Sequence, residues 1–285
     1  MLYIYIYIYM LYYILFIIII LILTFLFINN KKFININNNI ILIIKNYTKN
    51  INKNEYKFRY NRVNNLIENI YINGIKKFYI YDKYKLNYLI YKTNKKLIKF
   101  KKFKKDIEWN LIKLDSNIDY GMPFTLKNLI FIPDTLNIGY TTLLHEQIHI
   151  HQRKHLKLYK KLYENLGFTK LQDNTLYNEF IKRNNIIILT NPDGLDIYNY
   201  NINNIIYIPI LIIQNNYPKE ILINTNNTNN INEWKLDEIF YKNIYNINSS
   251  LYHPNEITAE SICEYILNNT KIHPLILDFI KNNYI

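Results

Sequence analysis

Four of the six histidines in this chain lie within eleven consecutive residues, which read HEQIHIHQRKH from His145 to His155. Residues four apart on an α-helix project from the same face, so His145 and His149 can each direct one ring nitrogen at a single ion. Glu146 is the next residue, where its carboxylate can accept a proton from a metal-bound water rather than bind the metal itself. The spacing therefore predicts a metal centre that activates water.

A catalytic zinc that keeps one position open for water needs a third protein ligand. His155 stands where the metzincin pattern HExxHxxGxxH has its third histidine, but Gln152 occupies the position of the glycine that turns the chain there. If the helix continues, His155 lies about 15 Å along the axis from His145, which is too far for the same ion. No methionine follows the motif to form a Met turn. We therefore expect His155 not to bind this metal.

A second motif, HPNEITAE, runs from His253 to Glu260. Together with the HExxHxxQ sequence that begins at His145, it resembles the two motifs of the gluzincins, zinc peptidases whose second motif reads NExxxD or ExxxE. The resemblance covers about residues 120–267. It implies that Glu256 is the third zinc ligand and that Glu260 orients a ligand histidine. The gap of 107 positions between His149 and Glu256 is longer than usual for gluzincins and implies an insertion.

Other polar residues near the motifs receive less specific interpretations. We expect His151 to be solvated, His253 to cap a helix or lie in a loop, and Asp193 to form a turn. Gln152 can either meet the substrate or pack inside the protein. Candidate hydrogen-bond donors to an oxyanion are Tyr198, Tyr200 and Tyr207, but a chain with 29 tyrosines offers no basis for choosing among them.

The elements that position these residues follow from hydrophobic periodicity and turn residues. Strands are predicted at 77–81, 107–114 and 126–132, helices at 84–91, 141–166 and 255–266, a hairpin at 185–213 around the turn at 191–194, and a mostly helical tail from residue 234. The predicted class is α+β, and the resemblance implies a zincin-like domain with a mixed sheet and a helical C-terminal part. In such a domain the strand at 126–132 would form the edge of the cleft and pair with an extended substrate.

The first 29 residues contain no charged side chain and exceed the roughly 20 residues that a helix needs to cross a bilayer. They predict a single-pass membrane anchor over 1–29, followed by a low-complexity linker over 30–55 and a zincin-like domain over 56–285. Lys31 and Lys32 favour a cytosolic domain, but lysines are so common in this chain that the sidedness remains open.

A formal net charge of +13 admits nucleic acid or an anionic membrane as partners. The lysines are spread along the chain, with one dense patch from Lys95 to Lys105, so we expect no specific nucleic acid. The lone Cys263 excludes a cysteine-rich zinc site. The expected function is a zinc-dependent peptidase acting on peptides or proteins. Two alternatives stay open: a catalytically silent, membrane-tethered binding protein with a structural metal, and a basic membrane protein associated with nucleic acid.

Overall fold

The computed structural model describes residues 2–29, 32–60, 66–172, 175–184, 186–194, 196–202, 204–214, 217–225 and 252–285. This part of the chain combines helices with two five-stranded sheets, which confirms the predicted α+β class. The section of the predicted helical tail from 234 to 251 lies outside the described residues.

A mixed sheet forms one half of the described fold. Its strands are β1 (Lys32–Phe33), β2 (Ile75–Lys76), β3 (Asn110–Leu114), β4 (Phe124–Leu126) and β5 (Leu129–Pro133). The order is β1-β3-β5-β4, and β2 also pairs with β3. β1 and β5 run parallel to β3, whereas β2 is antiparallel to β3 and β4 is antiparallel to β5. The hairpin of β4 and β5 replaces the single strand predicted over 126–132, because Lys127 turns the chain with a φ of 54°.

Helices cover both faces of this sheet. The helices in the first part of the chain are α1 (Leu2–Asn29), α2 (Asn38–Thr48), α3 (Tyr56–Arg59), α4 (Ile67–Asn73), α5 (Ile80–Lys96), α6 (Lys101–Asp106) and α7 (Tyr140–Lys154), and those that pack on the sheet are α2, α4, α5 and α7. Alternate residues of a strand face opposite sides. Accordingly, Ile112 and Phe131 lie in one core with α2 and α4, while Leu111 and Ile130 lie in another with α5 and α7.

The predicted linker over 30–55 is wrong in its described part. The Asn37 side chain caps α2, and Ile40, Ile43, Ile44 and Tyr47 are buried at the spacing of one helix face. Burying such side chains contributes roughly 1.5–3 kcal/mol each, so the segment belongs to the folded unit. The abundance of asparagine concealed this amphipathic pattern.

A buried ion network connects this N-terminal segment to a distant loop. The Arg59 guanidinium contacts Glu55 at 3.0 Å and Asp119 at 2.8 Å, and all three side chains are buried. The Glu55 carboxylate also accepts hydrogen bonds from the Thr190 backbone N–H at 2.8 Å and its hydroxyl at 2.6 Å. Residues 55–59 thereby hold the loop around residue 190 in place.

The N-terminal helix α1 runs from Leu2 to Asn29, and its side chains are described for residues 7–20, where they are exposed. Among the residues whose side chains the structure describes, no helical stretch is both long enough and apolar enough to cross a membrane.

The predicted strand at 77–81 is also wrong. The α5 helix begins at Ile80, and the Asp82 carboxylate accepts a hydrogen bond from the Tyr79 backbone N–H at 2.8 Å. This capping interaction satisfies a free N–H group at the helix start, which the alternating apolar pattern did not reveal. The helix predicted at 84–91 lies within α5, and β3 lies within the strand predicted at 107–114.

The long helix predicted over 141–166 is two helices, α7 and α8 (Leu156–Asn165). They meet at His155, whose φ of −116° and ψ of 43° are not helical. The His155 imidazole lies 2.7 Å from the Asp106 carboxylate at the end of α6. Neither glycine nor proline marks this break, so no residue type in this stretch predicts it.

A second, antiparallel sheet contains β6 (Phe168–Lys170), β7 (Ile187–Ile188), β8 (Tyr198–Ile202), β9 (Ile205–Gln214) and β10 (Tyr217–Asn224). The hairpin predicted around residues 191–194 is wrong in its pairing, because β7 and β8 each pair with β9 and not with each other. The remaining helices among the described residues are α9 (Thr175–Asn184), α10 (Pro254–Asn268) and α11 (Pro274–Asn283). α10 includes the helix predicted at 255–266.

Candidate metal centre

The α7 helix presents His145, Glu146 and His149 toward a cavity. It is anchored by Leu144 and Ile148, both fully buried in the core that also contains residues of α10. The facing helix, α10, begins at Pro254, and the His253 imidazole caps it by accepting a hydrogen bond from the Asn255 N–H. The expected capping role of His253 is therefore confirmed.

Three predicted ligand atoms converge where α7 and α10 meet. His145 Nε2 lies 2.9 Å from His149 Nε2, and Glu256 Oε2 lies 3.3 Å and 3.4 Å from these two nitrogens. Two ligands of one tetrahedral zinc, each bound at about 2.0–2.1 Å, are roughly 3.3–3.4 Å apart. Two of the separations match this value and the third is somewhat shorter. These three side chains could hold a metal ion.

The surrounding hydrogen bonds turn both imidazoles toward this point. The Gln152 amide nitrogen donates to Asn255 O at 2.8 Å and to Thr258 Oγ1 at 2.9 Å, so its oxygen faces His149 Nδ1 at 2.8 Å. Because that oxygen can only accept, Nδ1 carries the proton and the lone pair of Nε2 points into the site. Gln152 therefore packs inside the protein, which is the second of the two roles predicted for it.

Glu260 contacts His145 Nδ1 in the way that Gln152 contacts His149 Nδ1. Its Oε2 atom lies 3.5 Å from His145 Nδ1, on the side of the ring away from the convergence point. A carboxylate there favours a proton on Nδ1, which leaves Nε2 free to bind a metal. Glu260 thus lies where a residue that orients a metal ligand belongs.

Asn191 is a functional candidate that the sequence reading missed. Its side-chain nitrogen donates to Glu256 Oε1 at 3.0 Å, which leaves Oε2 as the carboxylate atom facing the histidines. The Asn191 oxygen accepts a hydrogen bond from the Asp193 N–H at 2.8 Å, a contact typical of turns. The sequence signalled this turn but not the direction in which the amide points.

Asp193 does more than form the expected turn. Its carboxylate accepts hydrogen bonds from both the backbone N–H and the hydroxyl of Thr125 in β4. β4 is the last strand of its sheet, and the N–H of Thr125 points away from β5. The loop already occupies this edge donor, so the edge pairing with substrate expected for this strand is blocked at Thr125.

Glu146 is buried next to the convergence point. Among the described residues, its Oε2 atom has no hydrogen-bond partner, which is uncommon for a buried carboxylate. Burial, reinforced by the nearby Asp193 charge, raises the pKa of Glu146 to about 7. A carboxyl group with such a pKa can accept and release a proton near neutral pH.

The electrostatics of the three converging residues favour a cation. Burial alone would lower the pKa of His145 and His149, but the Glu256 carboxylate raises both. Burial would raise the pKa of Glu256, but the two imidazoles hold it well below its usual range. A cluster of side chains that attracts protons in this way attracts a divalent cation for the same reason. The two nitrogens and one oxygen of this cluster suit zinc.

The cavity next to these residues has a volume of about 600 Å³. Its lining includes Met122 to Phe124, the loop from Leu189 to Asp193, Leu211, residues 218–220 and Tyr252. Tyr252 is a second residue that the sequence reading missed. Burial raises its pKa well above the usual value, so its hydroxyl keeps its proton and remains a donor.

Several other candidates lie away from this cavity. Tyr198 and Tyr200 are buried in the core around the second sheet, and neither they nor Tyr207 line the cavity. His151 is only 5 % exposed, so the expected solvated position is wrong. Phe103, Tyr159 and Tyr284 pack against its ring. The helix does break at His155, yet His155 lies with Asp106 and not with the three converging residues.

The chain was compared with protein-family models, curated proteins and solved structures, and none of them matched.

Proposed function

We propose that this chain is a zinc-dependent peptidase with a zincin-like domain that resembles the gluzincins. The observation that carries the proposal is the convergence of His145 Nε2, His149 Nε2 and Glu256 Oε2 beside the buried carboxylate of Glu146. This arrangement combines three ligands with a proton acceptor in front of a cavity of about 600 Å³. These are the parts that hydrolysis of an amide bond requires.

The proposed roles follow from the positions of the side chains. A bound zinc would supply Lewis acidity, which polarises a carbonyl group and lowers the pKa of water. Glu146 accepts the proton of the attacking water and delivers it to the leaving amine. Gln152, Glu260 and Asn191 keep the ligand atoms directed at the ion. Tyr252 is the tyrosine that we propose as a hydrogen-bond donor at the cavity wall.

The test compares the full chain with Glu146→Gln and Glu256→Ala. We expect Glu146→Gln to keep one zinc at this site and to lose about 10²- to 10⁴-fold in the rate of peptide hydrolysis, because only the proton acceptor is removed. Glu256→Ala should lose that zinc as well as the activity. The measurements are elemental analysis and cleavage of a quenched fluorescent peptide library.

Glu164→Gln is the matched control, since Glu164 is an exposed glutamate on α8. It should retain both zinc and activity. Undiminished hydrolysis in Glu146→Gln would refute the proposed mechanism, and a folded wild-type chain that binds no zinc at this site would refute the proposed function.

We also propose that residues 1–29 attach the chain to a membrane. Two observations support this: the segment has no charged side chain, and the apolar residues described in α1 are exposed. Apolar side chains exposed all around a helix, as over residues 7–20, favour a lipid environment over water. The full chain should remain in the membrane pellet after alkaline carbonate extraction, and a chain without residues 1–29 should not; release of both chains would contradict attachment.

A further inference from the structure

A second pair of histidines four residues apart, His151 and His155, meets another carboxylate on a different side of α7. His151 follows His145 by six positions, which corresponds to about 240° around a helix, so the two pairs face different directions. His155 Nε2 lies 2.7 Å from Asp106 Oδ2, and His151 Nε2 lies 3.6 Å from the same oxygen. None of these three residues lines the cavity of the first site.

We propose that Asp106, His151 and His155 form a second metal site that takes zinc or a similar late transition-metal ion. Two imidazole nitrogens and one carboxylate oxygen are donors that such ions prefer. The three ligand atoms all lie within 4.8 Å of one another. The site would join the end of α6 to the break between α7 and α8.

The contacts around the group prepare it for an ion. Lys154 Nζ lies 2.8 Å from Asp106 Oδ1, so the other carboxylate oxygen is the one left facing the histidines. His151 Nδ1 lies 3.0 Å from the Tyr159 hydroxyl, which can accept a hydrogen bond from a protonated Nδ1 and so leave Nε2 with a free lone pair. His151 is buried, whereas Asp106 and His155 are 29 % and 34 % exposed on their side chains. An ion can therefore approach from solvent.

Two features make this site weaker than the first. An entering ion must replace the direct contact between His155 and Asp106, because ligands of one tetrahedral zinc lie roughly 3.3–3.4 Å apart. In addition, the Lys154 ammonium repels a cation, whereas the first site has Glu146 and Glu260 close by. We expect the second ion to bind at least about tenfold more weakly than the first.

The experiment titrates the metal-free full chain with Zn²⁺ against a competing chelator and counts bound zinc by elemental analysis. Wild type should bind two zinc ions, His155→Ala one, and Glu256→Ala one. His273→Asn is the control, because it removes a histidine outside both groups and keeps a side chain that can cap α11. It should bind two. Circular dichroism checks the fold of each variant.

Lys154→Met provides a test that does not depend on deleting a ligand. Removing the repelling charge should lower the zinc dissociation constant of the second site by about tenfold. If Lys154 and Asp106 form only a structural ion pair, its loss would not lower that dissociation constant. A single zinc in wild type that disappears in Glu256→Ala would overturn the proposal, as would a second zinc that survives in His155→Ala. A zinc kept in Glu256→Ala but lost in His155→Ala would support this site and refute the first.

Discussion

Gln152 decides which nitrogen of His149 faces the proposed metal centre. Its two amide protons are both used by acceptors on α10, Asn255 O and Thr258 Oγ1. The orientation of the Gln152 amide therefore fixes which nitrogen of His149 carries the proton. The same amide connects α7 to α10, the two helices that carry the proposed ligands.

Gln152→Leu should weaken zinc binding at the first site by about 10- to 100-fold, because His149 loses the partner that fixes its tautomer. The measurement is the zinc dissociation constant from chelator competition. Gln147→Leu is the matched control, since Gln147 is equally buried on α7 but bonds to the Glu108 carbonyl and not to a histidine. Equal losses in the two variants would show that only packing matters.

His253 makes the stability of α10 sensitive to pH. Burial lowers the pKa of its imidazole, and its Nδ1 atom must stay unprotonated to cap the helix. An unfolded histidine titrates near pH 6.5, so below about that pH the unfolded chain binds more protons than the folded one. The contribution of the His253 cap to the free energy of unfolding is complete above about pH 6.5 and is lost as the pH falls below that value.

Between pH 7.5 and pH 5 the raised pKa values of His145, His149 and Glu146 increase the free energy of unfolding and oppose this loss. His253→Asn keeps a capping side chain that does not titrate. As the pH is lowered from 7.5 to 5, the free energy of unfolding of His253→Asn, measured in urea with a chelator present, should therefore rise relative to that of the wild-type chain. An unchanged pH dependence in His253→Asn would mean that other groups cause the effect.

At the scale of elements, the turn from Asn191 to Gly194 fills the space between β4 and the start of α10. A Cβ atom at Gly194 would lie 2.3 Å from Asn255 Nδ2 and 2.7 Å from His253 Cε1, so only glycine permits this close approach. The turn also carries Asn191, which holds the Glu256 carboxylate. The position of this turn is therefore coupled to the proposed metal centre.

Gly194→Ala should lower the free energy of unfolding by about 1–3 kcal/mol, the usual cost of overpacking, and should also weaken zinc binding. Gly139→Ala is the control, because its Cβ would meet only Thr141 and should cost less than about 1 kcal/mol. Urea denaturation and chelator competition measure the two effects. A stable Gly194→Ala chain with unchanged zinc affinity would contradict the coupling.

The sequence predicted best what depends on local spacing. The two motifs located the residues that converge between α7 and α10, and hydrophobic periodicity found α5, α7, α10 and β3. Prediction from the sequence failed where contacts between distant residues decide the structure. The break at His155 coincides with a contact to Asp106, and the loop bearing Asn191 is held by Glu55, 135 residues before Thr190. No local pattern records such pairings.

At the scale of the whole molecule, the segment before residue 56 is part of the fold. A chain of residues 56–285 lacks β1, α2 and Glu55, which exposes Ile112 and Phe131 and removes an ion partner from buried Arg59. Breaking a buried ion pair alone costs about 3–5 kcal/mol.

We expect residues 32–285 to unfold cooperatively in urea and residues 56–285 to show no cooperative transition. Circular dichroism at increasing urea concentration distinguishes the two chains. Glu55→Gln in the longer chain separates loss of the ion pair from loss of α2 and should retain cooperativity at lower stability. Cooperative unfolding of the shorter chain with unchanged stability would contradict the contribution of this segment.

The separation of the ligands along the chain also sets the order in which they are made. His145 and His149 leave the ribosome well before Glu256, which follows His149 by 107 residues. At about 5–20 residues per second, the two histidines wait roughly 5–20 seconds for the third ligand. During that interval a nascent chain cannot assemble the proposed three-residue centre, so the proposed chemistry could begin only after most of the polypeptide has been synthesised.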